Sequence, residues 1–513
     1  MRPVPAVAAL MLAIASVCAP AQDGTRLPDI GSSAGTVLSP ADQRAYGEML
    51  LSQLRNYDYI LEDPLVDSWL RGLGNRLAAA SDDPKQDFTF FMMADRQVNA
   101  GLVLVADTED EVAGVIGHEI AHVTQTHVLR SVERAQRDSV PILLAMLGAI
   151  AIAQSGSSSS GDAAMAAMAS AQGIAAQRQI NYTRSNESEA DRIGIRTLAR
   201  SGYDPAAMAR MFERMQALER SNRGGEKERT PDYLRSHPVT TTRIAEAKQR
   251  AAGIAEDGGG FTPAFTTSGN PLLPSTLRIN TAPTGGDDVR FGWVRERLRV
   301  LSANTPAAAA NEYERMQRSG DLDDAQRYGL AYAHLLAGHG GAAVKELAPL
   351  LRKHPGDTWL LLAMGQARAR AGDSAGADAI FEELVARMPR SRAVALTYAG
   401  VLAERNNQAA GKRAQDVLRP LLAGAGDDPL FQATYARINE IAGDPIRAGE
   451  AWAEAAYLNG RPERALVQLN NLKKREDLDY YARARIEARI AAITPVVLEL
   501  RRQGVRDPDL QRR

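Results

Sequence analysis

Apolar residues recur at three- and four-residue spacing along most of the chain, a period that predicts a mainly α-helical protein with a small β-sheet. Ser39-Pro40 opens a helical segment carrying Leu50, Leu51 and Leu54, and Pro64 starts a second whose one face holds Val66, Trp69, Leu70 and Leu73. Residues 86–93 (QDFTFFMM) are aromatic-rich and bounded by Pro84 and Asp95, which predicts a strand. Gly101 to Val105 is a second short apolar run. Thr108-Glu109-Asp110-Glu111 has the form of a capping box, with Val112, Val115, Ile116 and Val123 behind it at helical spacing. A helix is predicted from about 109 into the 130s.

Residues 140–154 and 163–176 are apolar arms separated by a Ser/Gly-rich run at 155–161. Each arm, about 21 Å long as a helix, is too short for a bilayer core of about 30 Å. They predict a hairpin packed on the domain or, as the sharper alternative, a mobile flap with peripheral membrane contact. Glycine and proline punctuate residues 253–289, which read as a linker or wrapping segment. Beyond them a helical pattern repeats. Ala337-Gly338 and Ala371-Gly372 lie 34 residues apart, as do Pro355 and Pro389, and helices at about 359–369 and 375–388 flank a glycine turn. The period is that of tetratricopeptide-like repeats, which stack into a solenoid with a concave binding face.

Composition narrows the chemistry. A formal charge of −1 over 513 residues argues against a nucleic-acid binder held by bulk positive charge. The single cysteine, Cys18, excludes an internal disulfide and any Cys-ligated zinc or iron–sulfur site, so a metal must be held by histidine and carboxylate. Residues 1–21 combine Arg2, an apolar stretch and an Ala19-Pro20-Ala21 cleavage signal, the pattern of an export signal peptide. Val17 precedes Cys18, so cleavage after Ala21 is favoured over lipidation. No run of about 20 apolar residues follows, which disfavours an integral membrane protein.

His118-Glu119-Ile120-Ala121-His122 is an H-E-x-x-H motif. On a helix both imidazoles share one face, and Glu119 beside them can take a proton from water. A third ligand is still needed. The metzincin spacing fails at Gln125, which leaves His127, His237 or a carboxylate. Asn186-Glu187-Ser188-Glu189-Ala190-Asp191 supplies carboxylates on a second predicted helix, with Glu187 and Asp191 one turn apart, so that one can bind metal while the other orients a ligand histidine.

HEIAH followed by ExxAD resembles the gluzincin metallopeptidases, the family of the prenyl-protein CaaX endopeptidase and the heat-shock membrane protease HtpX. The closer likeness is to its soluble periplasmic branch fused to tetratricopeptide repeats. LPDIGSSAG at 27–35, RGLGNRLA at 71–78, EDEVAGVIGHEIAHVTQTH at 109–127 and RSNESEADRIGI at 184–195 carry that likeness. It implies one Zn²⁺ per chain on His118, His122 and Glu187, Glu119 as general base, and Asp191 as partner of a zinc histidine, sometimes assigned as proton donor. Ser236-His237-Pro238 resembles a family segment whose histidine either approaches the zinc and suppresses activity or helps stabilise the oxyanion. Read from the residues alone, His237 caps the next helix instead. The sequence departs from the family after Val98-Asn99-Ala100, where a Phe-x-x-Pro-Gly-Gly edge strand of about a dozen residues is absent. That loss touches substrate pairing and leaves the ligands intact.

The resulting expectation is a signal peptide at 1–21, a zinc metalloprotease domain at 22–252, the linker at 253–289, repeats at 290–495 and a charged tail at 496–513. The resemblance implies an endopeptidase of periplasmic quality control. Its partners would be outer-membrane β-barrel proteins and their assembly machinery, held by the repeats. The alternative is a chaperone-like scaffold whose protease site is closed or impaired.

Overall fold

A computed structural model of the chain describes residues 39–94, 99–134, 137, 160–222, 233, 237–256 and 288–502. The predicted signal peptide, the first apolar arm at 140–154, most of the linker and residues 503–513 of the tail lie outside them. Among the described residues no helix is long and apolar enough to cross a membrane.

Helices α1 (Pro40–Asn56) and α2 (Pro64–Ala79) begin where Ser39 and Asp63 cap them. The Asp63 carboxylate accepts from the Leu65 and Val66 amides at 3.1 and 3.0 Å, and Pro64 supplies the preset first turn. The strand predicted over 86–93 shrinks to β2 (Met92–Met93), paired antiparallel with β1 (Ile60–Leu61). Among the described residues its partner is two residues long, so 86–91 form no ladder there and turn Phe88 and Phe90 onto the core instead. The apolar run after Ala100 belongs to α3 (Asn99–Val105).

Helix α4 (Glu109–Thr124) carries the H-E-x-x-H motif. Only half of the capping box forms. Thr108 Oγ1 accepts from the Glu111 amide at 3.4 Å, whereas the Glu111 carboxylate accepts from Asp107 N at 2.8 Å and pairs with Arg214. The predicted helix into the 130s is interrupted: it ends at Thr124, turns through Gln125 and Thr126, and resumes at 127–134. Next comes α5 (Ser160–Arg200), 41 residues that join the second apolar arm to the acidic cluster in one helix. Helices α6 (Ala207–Asn222) and α7 (Thr241–Glu256) complete this part.

Helices α4 and α5 cross at a pair of glycines. A Cβ added to Gly194 would stand 3.0 Å from His118 N and 3.1 Å from Gly117 C. The two backbones therefore touch one residue before the first histidine of the motif, and α5 brings Glu187 and Asp191 onto it within side-chain reach.

From α8 (Asp288–Ser302) to Arg502 the chain is a run of helix–helix repeats. The Ala-Gly turns 34 residues apart are real corners: Gly338 and Gly372 take φ of +84° and +89°, which a side chain would strain. Helices Thr358–Arg370 and Ser374–Arg387 match the predicted pair. One apolar cluster extends from α2 and α4 through α6 into the repeats as far as Ile438, and a second holds the C-terminal helices. Several repeat units grip the same short stretch of α1 and α2. Arg297 donates to Asp63 at 2.8–2.9 Å, Arg392 reaches Asp67 at 3.3 Å, and Arg461 donates to Asn56 at 3.0 Å.

Candidate metal centre

The α4–α5 crossing and the start of α7 bring four ligand atoms together. One ligand atom from each of His118, His122, Glu187 and His237 lies within 4.8 Å of the others. His118 Nε2 and His122 Nε2 are 3.0 Å apart. Glu187 stands 3.4 Å from the first and 3.3 Å from the second. His237 Nδ1 lies 3.0 Å from Glu187 Oε1 and 3.5 Å from His118 Nε2. Donors bonded to one tetrahedral ion at about 2.0–2.2 Å stand about 3.3–3.6 Å apart, close to these spacings.

Charge agrees with geometry. Arg243 pairs with Glu187 and Asp191, while Glu119 faces His237, so among the described residues the carboxylates of the centre outnumber its guanidiniums, a field that favours a cation. The same field acts on the histidines. Burial pulls His118 down, but hydrogen bonds to Asp191 and Glu187 more than offset it and raise its pKa to about 9. A metal ion at Nε2 would take that proton's place in the same field. Burial lowers the pKa of the less enclosed His122. Glu187 is raised by burial, yet hydrogen bonds with His118, His122 and His237 hold it far below the ordinary carboxylate range.

Each residue named from the sequence can be placed. Asp191 sits behind His118, with Oδ1 2.9 Å from Nδ1, a position that favours the proton on Nδ1 and leaves Nε2 free to ligate. Glu119 follows His118 on the open side, its Oε1 3.7 Å from His237 Nε2. His237 does not cap the next helix. Thr240 does, accepting from Arg243 N at 3.2 Å, while the His237 ring stacks on Tyr233 and enters the cluster. His127, one of the candidate third ligands, lies behind His122 instead, with the two Nδ1 atoms 2.9 Å apart. His127 also makes a hydrogen bond to Glu189, which with Arg130 lowers the pKa of that carboxylate to about 2.

Sequence reasoning missed Arg243. Its guanidinium donates to Asp191 from Nε and Nη2, both at 2.7 Å, and Nη1 reaches Glu187 at 2.9 Å and the Pro238 carbonyl at 2.8 Å. One buried side chain therefore fixes two carboxylates of the centre and the loop carrying His237, and it lies over the Phe212 ring. A cation in the first turn of a helix opposes the dipole, but that local feature does not name its partners, which lie on α5.

Comparison with known proteins agrees with this arrangement. Residues 64–251 match the model of Peptidase family M48. The chain is 29% identical to the β-barrel assembly-enhancing protease of Yersinia pestis over 92% of both chains. It is 28% identical to that of Escherichia coli K12, over 92% of this chain and 91% of the other. A Vibrio cholerae protein provisionally given the same name is 39% identical over 257 residues, which is 47% of this chain and 51% of that one. Residues 64–251 are thus a metalloendopeptidase domain of Peptidase family M48, within a chain similar over nine-tenths of its length to β-barrel assembly-enhancing proteases.

Proposed function

We propose that this chain is a zinc-dependent endopeptidase of the bacterial periplasm that acts on outer-membrane β-barrel proteins as they are assembled. In this reading residues 1–21 are a cleaved export signal, 22–252 the protease, 253–289 a linker, 290–495 tetratricopeptide-like repeats that hold clients or assembly machinery, and 496–513 a tail. Support for the client comes from the names of relatives that align over most of the chain, and for the compartment from the export-signal pattern of residues 1–21. The observation that carries the reading is the meeting of His118 Nε2, His122 Nε2 and Glu187 at 3.0–3.4 Å.

These three residues would hold the zinc. When bound, the ion supplies Lewis acidity, lowering the pKa of water and polarising a peptide carbonyl. Glu119 takes the proton of the attacking water and returns it to the leaving amine. Asp191 keeps His118 in the ligating tautomer, and Arg243 keeps Asp191 and Glu187 in place. His237 stands where a catalytic site needs an open position. It has to leave before a substrate carbonyl can enter.

That last contact also motivates a second reading, a chaperone-like scaffold whose protease stays shut. The experiment is zinc content and degradation of casein and of a stalled β-barrel protein by the mature chain. One zinc per chain, proteolysis reduced about a thousandfold by Glu119→Gln, and faster basal cleavage in His237→Ala support the protease. Degradation that survives Glu119→Gln would refute it. A Glu119→Gln chain that supports barrel assembly as well as wild type would favour the scaffold.

A further inference from the structure

His127 and Glu189 remain unused by the mechanism, and the chain takes trouble to place them. In an uninterrupted helix His127, five residues after His122, would point to a different side. Here α4 ends at Thr124, and Thr126 adopts φ +51°, a left-handed conformation that a β-branched residue rarely takes. This turn redirects 127–134 so that His127, only 3% exposed, folds back beneath His122. Ser131 Oγ donates to the His127 carbonyl at 2.7 Å and pins the new turn.

We infer that His127 and Glu189 form a positioning relay for His122, an inference that rests on His122 being a metal ligand. The protons allow one arrangement. If His122 Nε2 gives its lone pair to a metal, His122 Nδ1 carries the hydrogen and donates across 2.9 Å. His127 Nδ1 must then be the bare acceptor, so His127 is neutral with its hydrogen on Nε2. That hydrogen is donated to Glu189 Oε2 at 3.2 Å, and Glu189 is held in turn by Arg130 at 3.1 Å. His118 shows the shorter form of the same device, with Asp191 directly behind it. Both metal imidazoles are thus backed by a carboxylate, one directly and one through a second imidazole. Glu187, Glu189 and Asp191 all serve the centre, although 189 faces a different side of α5 from the other two. Such backing fixes ring orientation and strengthens the nitrogen as a ligand.

The test is zinc affinity of the full mature chain, measured by competition with a chromogenic chelator. His127→Ala is expected to bind zinc about 10–100-fold more weakly. His127→Asn places an amide oxygen where Nδ1 stood and should recover to within a few-fold. His127→Gln reaches the place of Nε2 and should remain as weak as alanine. Metal-free melting temperatures of the three should agree, because the relay acts on the ligand and not on the fold. Wild-type affinity in His127→Ala would overturn the relay, as would asparagine and glutamine variants equally weak and equally destabilised without metal. His122→Ala, measured alongside, separates the two claims. If it loses zinc while His127→Ala does not, only the relay falls. If it keeps zinc, the assignment of the metal site itself fails.

Discussion

The metal centre and the seam between α2 and the repeats are both networks of largely enclosed carboxylates and guanidiniums. At the centre Glu187 and Asp191 pair with Arg243, and Glu119 faces His237. At the seam Asp63, Asp67 and Asp428 pair with Arg297 and Arg392, and Glu62, Arg55 and Arg71 lie in the same field. The seam resolves its charges within the protein. Arg297 bonds Asp63 from two nitrogens, gives a third to Tyr328 Oη at 3.1 Å and lies over the Tyr332 ring. Arg392 gives its fork to Asp428, and Asp67 receives the remaining nitrogen at 3.3 Å. Burial above all, with Asp63 adding to it and Arg392 opposing, pushes Asp67 up to about 6, within reach of a proton. At the centre the nearest groups are imidazole nitrogens aimed at one another. A network closed by arginine forks holds the fold together. One whose carboxylates face converging imidazoles is a site for a cation.

The widest separation between the two regions should appear with Glu187→Gln and Arg297→Met. Glu187→Gln is expected to remove zinc and to lower proteolysis by about ten-thousandfold, equivalent to about 5 kcal/mol of barrier, while the metal-free chain melts as wild type does. Arg297→Met leaves Asp63 buried without its cation and should cost about 3–4 kcal/mol of stability by denaturant midpoint. Its zinc content should stay at one per chain. If Glu187→Gln destabilised the metal-free fold as much as Arg297→Met, the distinction between a structural network and a cation site would fail. Zinc removal adds a control. Chelation should lower the melting temperature of wild type by the equivalent of about 4 kcal/mol when free zinc had stood at a thousand times its Kd. Glu187→Gln should show no such shift.

What could be read from the sequence follows from how local each signal is. The H-E-x-x-H residues and Glu187/Asp191 are each set by one helical turn, so their spacing carries the geometry. The 34-residue glycine corners are local as well, because the backbone angle belongs to the glycine. The strand at 86–93 failed because a strand needs a partner, and β1 offers two residues. The break after Thr124 escaped because apolar spacing continues through Val123 and Val128 while the turn lies in the φ of Thr126. Arg243 and the placement of His127 are long-range facts. They depend on α7 and 127–134 packing against α4 and α5, which no window of sequence contains.

Gly117 and Gly194 lie between those cases. As letters they are two glycines in helices. As structure they set the distance between the ligand helices, with 3.0 Å between a would-be Gly194 Cβ and His118 N. Gly194→Ala should separate α4 from α5 and cost about 2–3 kcal/mol, the range of an overpacked core. Unlike Arg297→Met, it should weaken zinc binding too, because it moves Glu187 away from the imidazoles. Unchanged zinc affinity would mean that Arg243 alone holds the carboxylate in place.

The smallest expected effect tests the raised pKa of Asp67 in the seam. The pKa of Asp67 in the folded chain is about 6, against about 3.9 for an unfolded aspartate. A raised pKa means that the folded state binds the proton more tightly. The group's contribution to stability is complete below about pH 4 and is lost as pH rises through 6. Wild type should therefore gain stability between pH 7 and pH 4.5 relative to Asp67→Asn, by about 1–2 kcal/mol. Asparagine keeps the shape and removes the titration, so other titrating groups cancel in the difference. Parallel stability curves for the two proteins would show that Arg392 neutralises Asp67 fully. The seam would then be balanced by arginine alone, and the use of a proton there would be wrong.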